Sequence, residues 1–187
     1  MSTLRIDTAT AEGTRRVAVA LAAGLRAGDL LVLDGPLGAG KTTFTQGLGA
    51  ALDVRGPVAS PTFVISRVHP SLRGGPSLVH VDAYRLGSGG DIDDLDLEAE
   101  LDAAVTVVEW GRDVVEHLSD SWLLVELERP ESGGDPEDPE EPRSLRLTPV
   151  GPRWDEAARA ALRDALAEHA PVAEESADHP ASDEETR

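Results

Sequence analysis

Apolar positions along this chain change period several times, and each change marks an element. Between residues 10 and 27, Val17, Ala20, Leu21 and Leu25 recur at helical intervals and predict an amphipathic helix. Thr10 offers a hydroxyl to its open amides, Glu12 sits in the first turn, and Gly28-Asp29 is the expected stop. Leu30 to Asp34 is an unbroken apolar run, the mark of a strand covered on both faces. Thr42 to Leu52 returns to helical spacing, with Phe44, Leu48 and Leu52 four residues apart. Ser60 to Ile65 predicts a turn running into a strand, and residues 70–77 a loop. Leu78 to Asp82 alternates as a strand does. Residues 91–102 are acidic, with Ile92, Leu95, Leu97 and Leu101 at mixed spacing, and a short helix is expected.

Ala103 to Val108 is a largely apolar run, broken by Thr106 alone, and predicts a central strand ending at Glu109-Trp110. Trp122 to Leu127 and Ser144 to Leu147 predict two more strands. Pro, Gly and acidic residues between 130 and 142 separate them and read as a flexible surface insertion. Trp154 to His169 predicts a helix with Trp154, Ala158, Ala161, Leu162 and Ala165 on one face. The remaining residues, 170–187, are expected to form an acidic, disordered tail beyond a single domain over residues 1–169. No internal repeat is visible.

Between the first apolar run and the helix that follows lies Gly35-Pro36-Leu37-Gly38-Ala39-Gly40-Lys41-Thr42. Strand, glycine-rich loop and helix in this order are what a phosphate loop requires. Its glycines let backbone amides turn inward on phosphate, and the helix start adds its positive end. Lys41 would neutralise terminal phosphate oxygens, and Thr42 would place its hydroxyl on Mg²⁺. The expected fold is a three-layer α/β, P-loop NTPase-like domain with a mixed, largely parallel central sheet. Short links between the late strands predict that part of the sheet is antiparallel.

Composition sharpens this picture. The chain has 187 residues, no cysteine and a net charge of −18, with 16 arginines but a single lysine, Lys41. Arginine supplies positive charge everywhere except in the phosphate loop, where a compact ammonium suits the chemistry better than a planar fork. Residues 131–141 hold six acids and no base, and residues 168–187 seven acids and one base. A chain this acidic is poorly suited to grip a phosphate backbone directly, so any RNA role is expected to run through a partner. Residues 91–102, with seven acids, are either a docking surface for a basic patch or a solvated helix face. No apolar run approaches the ~20 residues of a membrane span. The N-terminus lacks a signal-peptide core, and a cytoplasmic location is expected.

A phosphate loop needs a carboxylate to complete the metal shell, and two end apolar strands: Asp82 and Glu109. From the residues alone, Ser60-Pro61-Thr62 is more simply a proline turn than a phosphate sensor. Arg85 alone is uninformative, and Trp110 reads as a core or interface aromatic rather than a base-stacking one. The histidines show no metal-ligand spacing, and His80, between Val79 and Val81, reads as structural or as support for a neighbouring group.

Four motifs in this order resemble the bacterial TsaE family, formerly YjeE. They are Gly35 to Thr43, Ser60 to Phe63, His80 to Leu86 (H-x-D-x-Y-R-L) and Glu109-Trp110, and the resemblance covers about residues 5–127. It implies a weak, partner-dependent, Mg²⁺-requiring ATPase. The implied process is formation of N6-threonylcarbamoyladenosine at position 37 of tRNA, with TsaB and TsaD as partners and tRNA met through that complex. It implies nucleotide contacts from Ala11, Glu12, Gly38, Ala39, Gly40, Lys41, Thr42, Thr43, Thr62 and Arg143. It further implies Mg²⁺ at Thr42 and Glu109, with Asp82 as a catalytic or metal-assisting carboxylate, and a switch role for Ser60 to Thr62. Pro36 stands where the family often has Asp, and Ala83 where it has Leu. A small-molecule kinase and a non-catalytic nucleotide sensor are the alternatives. Absence of a guanine-selecting N-K-x-D favours ATP over GTP.

Overall fold

The computed structural model describes residues 2–86, 100–129, 141–169 and 171–176. In chain order the elements are β1 (Ser2–Thr8), α1 (Ala11–Ala22), β2 (Leu30–Asp34), α2 (Lys41–Ala51), β3 (Ser66–His69), β4 (Ser77–Asp82), β5 (Ala104–Glu109), β6 (Trp122–Glu128), β7 (Arg143–Val150), α3 (Glu156–Ala167) and β8 (Val172–Ser176). The strands form one α/β sheet in the order β3-β4-β5-β2-β6-β7-β1-β8. Neighbours from β4 through β5 and β2 to β6 run parallel, and all other neighbours run antiparallel.

Burial explains which strands pair in which way. β5 is buried at all six positions, and β2 at its first four. Such strands need cover on both faces, as parallel strands have. On one face, Leu31, Leu33, Val105 and Val107 pack against Val17 and Leu21 of α1, Phe44 and Leu48 of α2, and Leu162 and Leu166 of α3. On the other, Leu30, Val32, Val79, Val81 and Val108 meet Ala83, Leu101 and Val115. β6 and β7 instead alternate between buried and half-exposed positions, so one of their faces meets water, as antiparallel strands allow.

The structure corrects several expectations. α1 starts at its Thr10 cap as read, but it stops at Ala22 rather than at Gly28. The amides of Ala23 and Gly24 close onto Ala20 and Leu21, tightening the last turn so that it cannot propagate. Gly28, at φ +91°, forms the turn into β2 and donates to Ala104 O. Residues 60–65 are not a strand. The amides of Val64 and Ile65 both fold back onto Pro61 O, at 2.8 and 2.6 Å, and β3 begins only at Ser66.

β1 was not foreseen, although Leu4 and Ile6 alternate with Arg5 and Asp7. The tail expected to be disordered from residue 170 contributes β8, whose Val172 lies opposite Ile6 and packs on the core. The free edge of β1 carries unpaired backbone groups that β8 satisfies. Most of the helix read at 91–102, the insertion over 131–140 and the tail from 177 lie outside the described residues. Among the described residues, no helix is long and apolar enough to cross a membrane.

β2 is the topological switch point, with parallel neighbours on both sides. Ligands of open α/β sheets bind beyond the carboxyl ends of strands at such a point. Register brings three acids level there: Asp82 pairs with Glu109, Glu109 with Leu33, and Asp34 follows Leu33.

Candidate functional site

The loop from β2 to α2 turns through three left-handed glycines, Gly35, Gly38 and Gly40, at φ +137°, +76° and +103°. Gly35 is confined by its surroundings as well as by its dihedral. A Cβ there would lie 2.2 Å from Leu127 O of β6. Gly40 caps α2 with no side-chain hydrogen bond, so the first amides of the helix face the cleft unclaimed by any cap.

Lys41 opens α2 and is buried. Its ammonium donates to Gly35 O at 2.6 Å and Pro36 O at 3.0 Å. It also lies 3.6 Å from the centroid of the Trp110 ring. Burial pushes this lysine below its ordinary pKa, against the opposing pull of Glu109, Asp34 and Asp82.

Thr42 Oγ1 donates to Glu109, at 2.9 Å from Oε1 and 3.2 Å from Oε2. Glu109 is itself buried at the end of β5 and meets His80 Nε2 at 2.8 Å. Asp82 ends β4. Its Oδ2 lies 2.6 Å from the Thr62 hydroxyl and 3.1 Å from that of Ser60, and its Oδ1 accepts from the Tyr84 amide. The segment over residues 60–65 is thereby latched to the strand-end carboxylate. Ile65 sits at φ +67°, a left-handed conformation that a β-branched residue tolerates poorly.

These groups enclose a cleft of about 460 Å³. Gly38, Ala39, Gly40, Lys41, Thr42, Thr43, Thr62, Asp82 and Glu109, all named from the sequence, line it. Ala11 and Glu12 are not among the lining residues. They open α1, which packs on α2, with Arg15 reaching Gln46 at 3.3 Å. Arg143 stands behind the loop. Its Nη1 donates to Glu141 Oε2 at 2.7 Å, and its Nη2 approaches Gly38 O at 3.4 Å.

Sequence reasoning undervalued Trp110 and Tyr84. Both line the cleft, and their rings meet at a tilt of 53° with centroids 5.1 Å apart. Trp110 takes φ +61° directly after Glu109, which swings its ring back over Lys41. Its signal was its place next to the strand-end acid, which gave no hint of the backbone reversal.

The donors suit a hard cation shared with phosphate. Among the described residues, no group of three or more His, Cys, Asp or Glu could hold a metal alone. A hydroxyl and one or two carboxylates are instead what Mg²⁺ commonly takes from a protein, the rest coming from phosphate and water. Thr42, Glu109 and Asp82 fit that pattern, and the glycine cradle beside them leaves room for the phosphate.

Comparison with known proteins shows the family to which the chain belongs. The model of the family described as threonylcarbamoyl adenosine biosynthesis protein TsaE matches residues 8–135. A tRNA threonylcarbamoyladenosine biosynthesis protein TsaE of Streptomyces coelicolor is 56% identical over 131 residues, covering 70% of this chain and 86% of that protein. The protein of the same description from Bacillus subtilis is 35% identical over 156 residues, covering 83% and 91%. The crystal structure of Bacillus subtilis YdiB superposes with a TM-score of 0.65 at 32% identity, covering 90% of this chain and 97% of that one. With the phosphate loop, both strand-end acids and Trp110 all inside the matched span, the chain belongs to the TsaE family of threonylcarbamoyl adenosine biosynthesis proteins.

Proposed function

We propose that this protein is a Mg²⁺-dependent ATPase required for N6-threonylcarbamoyladenosine modification of tRNA at position 37, acting in the cytoplasm with TsaB and TsaD. The observation that carries this reading is the convergence of Lys41, Thr42, Asp82 and Glu109 on one cleft at the switch point of the sheet. Amides of residues 38–42 and the start of α2 bind the phosphates. Lys41 exchanges two backbone carbonyls for phosphate oxygens, a trade made easier because burial already disfavours its charge. Thr42 and Glu109 hold the metal, which neutralises charge on the phosphates when bound. Asp82 orients the attacking water and accepts its proton, with Ser60 and Thr62 moving between the carboxylate and the terminal phosphate.

Among the described residues that line the cleft, Lys41 is the sole Lys or Arg. Without an arginine to stabilise the transition state, hydrolysis by the isolated chain is slow, and partners raise it. The same lack argues against a small-molecule kinase, which needs further cations for its second substrate. A nucleotide sensor remains the second reading, favoured by that slow chemistry. Measuring ATP turnover with and without TsaB and TsaD, together with multiple rounds of tRNA modification, tests the proposal. Failure of the partners to bind the chain or to depend on it would end it. If Glu109→Ala and Asp82→Ala leave partner-dependent modification intact, the sensor reading stands instead.

A further inference from the structure

We infer that His80 is a positioning residue that fixes the Glu109 carboxylate and the direction in which its less engaged oxygen points. This rests on the proposed role of Glu109, and it concerns a side chain that never reaches the cleft. His80 lies in the middle of β4, fully enclosed, and does not line the site. Its Nε2 meets Glu109 Oε1 at 2.8 Å. Its Nδ1 is buried and has no hydrogen-bond partner among the described residues.

These two observations together assign the ring. A proton on Nδ1 would be a buried donor with nothing to accept it, which proteins avoid. A carboxylate cannot donate to Nε2, so the short contact to Oε1 requires the proton on Nε2. The ring therefore carries its proton on Nε2 and a lone pair on Nδ1. The tautomer is set by the carboxylate on one side and by the lack of an acceptor among the described residues on the other.

The consequence falls on Glu109. Its Oε1 accepts from both His80 and the Thr42 hydroxyl, at 2.8 and 2.9 Å, whereas Oε2 has only the longer 3.2 Å contact to Thr42. Oε1 thus carries two contacts to the protein and Oε2 one longer contact, which leaves Oε2 the less engaged oxygen. A glutamate on a strand end has three rotatable bonds, and without His80 it would sample several rotamers. The pairing of β4 with β5 brings the strand carrying His80 alongside the one carrying Glu109, with His80 level with Val107, two residues before the acid. His80 acts through Glu109 and is not itself a catalytic residue.

Two independent measurements test this. The first is the ring nitrogen spectrum of the wild-type, nucleotide-free chain at neutral pH, with His80 assigned by replacing the other four histidines in turn. A protonated Nε2 and an unprotonated Nδ1 are expected, and a proton on Nδ1 would overturn the assignment. The second is binding of a non-hydrolysable ATP analogue with and without Mg²⁺. His80→Leu should lose about 10–100-fold of the metal-dependent gain in affinity, the usual effect of removing a group that orients a metal ligand. Metal-free binding should be unchanged. His80→Gln, which can present an amide N–H near the place of Nε2, should restore most of that gain. Equal metal-dependent binding by wild type and His80→Leu, or no rescue by a folded His80→Gln, would refute the role. Neither readout uses turnover, so a chain that proves not to hydrolyse ATP would refute the ATPase reading while leaving His80 to be judged separately.

Discussion

The ammonium of Lys41 rests 3.6 Å from the centroid of the Trp110 ring while donating to two carbonyls of its own loop. The lysine is thus held by groups that a phosphate must displace. Binding of Mg-ATP should draw it away from the indole and change tryptophan emission. Trp110→Phe should abolish that change while Trp122 and Trp154 continue to fluoresce. An unaltered response in Trp110→Phe would show that the signal arises elsewhere.

Lys41→Ala removes a charge-assisted contact worth about 3 kcal/mol, or about a hundredfold in Mg-ATP affinity. Undiminished binding by calorimetry would remove the basis of the proposed function. Stability should respond differently. The folded chain holds Lys41 below its ordinary value of 10.5, so in the window just below that value the unfolded chain binds more protons. Wild-type stability should therefore rise relative to Lys41→Met as pH climbs from neutral toward 10.5. A flat difference between the two denaturation series would contradict this.

Asp82→Asn disturbs the carboxylate that receives the Ser60 and Thr62 hydroxyls. Hydrolysis should fall by about 10²–10⁴-fold if Asp82 handles the proton of the attacking water. The released segment should also be cut faster by protease near the exposed Phe63 and Val64. Normal turnover with faster cleavage would leave Asp82 a latch and nothing more.

Gly35 and Gly28 offer a paired comparison. Both have positive φ, but a methyl group at Gly28 meets none of the described residues within 4 Å, whereas at Gly35 it meets Leu127 O at 2.2 Å. Gly28→Ala should cost about 1–2 kcal/mol from the dihedral alone. Gly35→Ala should cost about 2 kcal/mol more, because β6 must shift. Chemical denaturation distinguishes them, and equal losses would mean that the loop yields without strain.

Glu141 accepts hydrogen bonds from Arg129 and Arg143 at the base of the acidic insertion. The bond from Arg129 leads in holding its carboxyl below the ordinary value of 4.5. Stability from this clasp is present above 4.5 and is lost as pH falls through the lower folded value. Glu141→Gln should be less stable than wild type at neutral pH and should converge with it in acid. Parallel curves would show that the clasp contributes nothing.

What the chain declared by itself was local. Phosphate-loop geometry is written in Gly35, Gly38, Gly40 and Lys41, because such a turn depends on glycine dihedrals and on one strand passing directly into one helix. The apolar runs at Leu30 and Ala104 announced the buried parallel centre of the sheet, since only strands covered on both faces lack polar alternation. Asp82 and Glu109 were found because each closes a mostly apolar strand. Which residues meet across the sheet was decided elsewhere. The pairing of β4 with β5 brings His80 to Glu109, the left-handed turn at Trp110 lays an indole over Lys41, and folding of residues 60–65 onto Asp82 replaces the strand expected there. β8 exists because the edge of β1 offers it backbone partners. Periodicity records how much of each element is covered. Register and chain reversals depend on contacts between residues far apart in sequence, so they emerge only once the chain has folded.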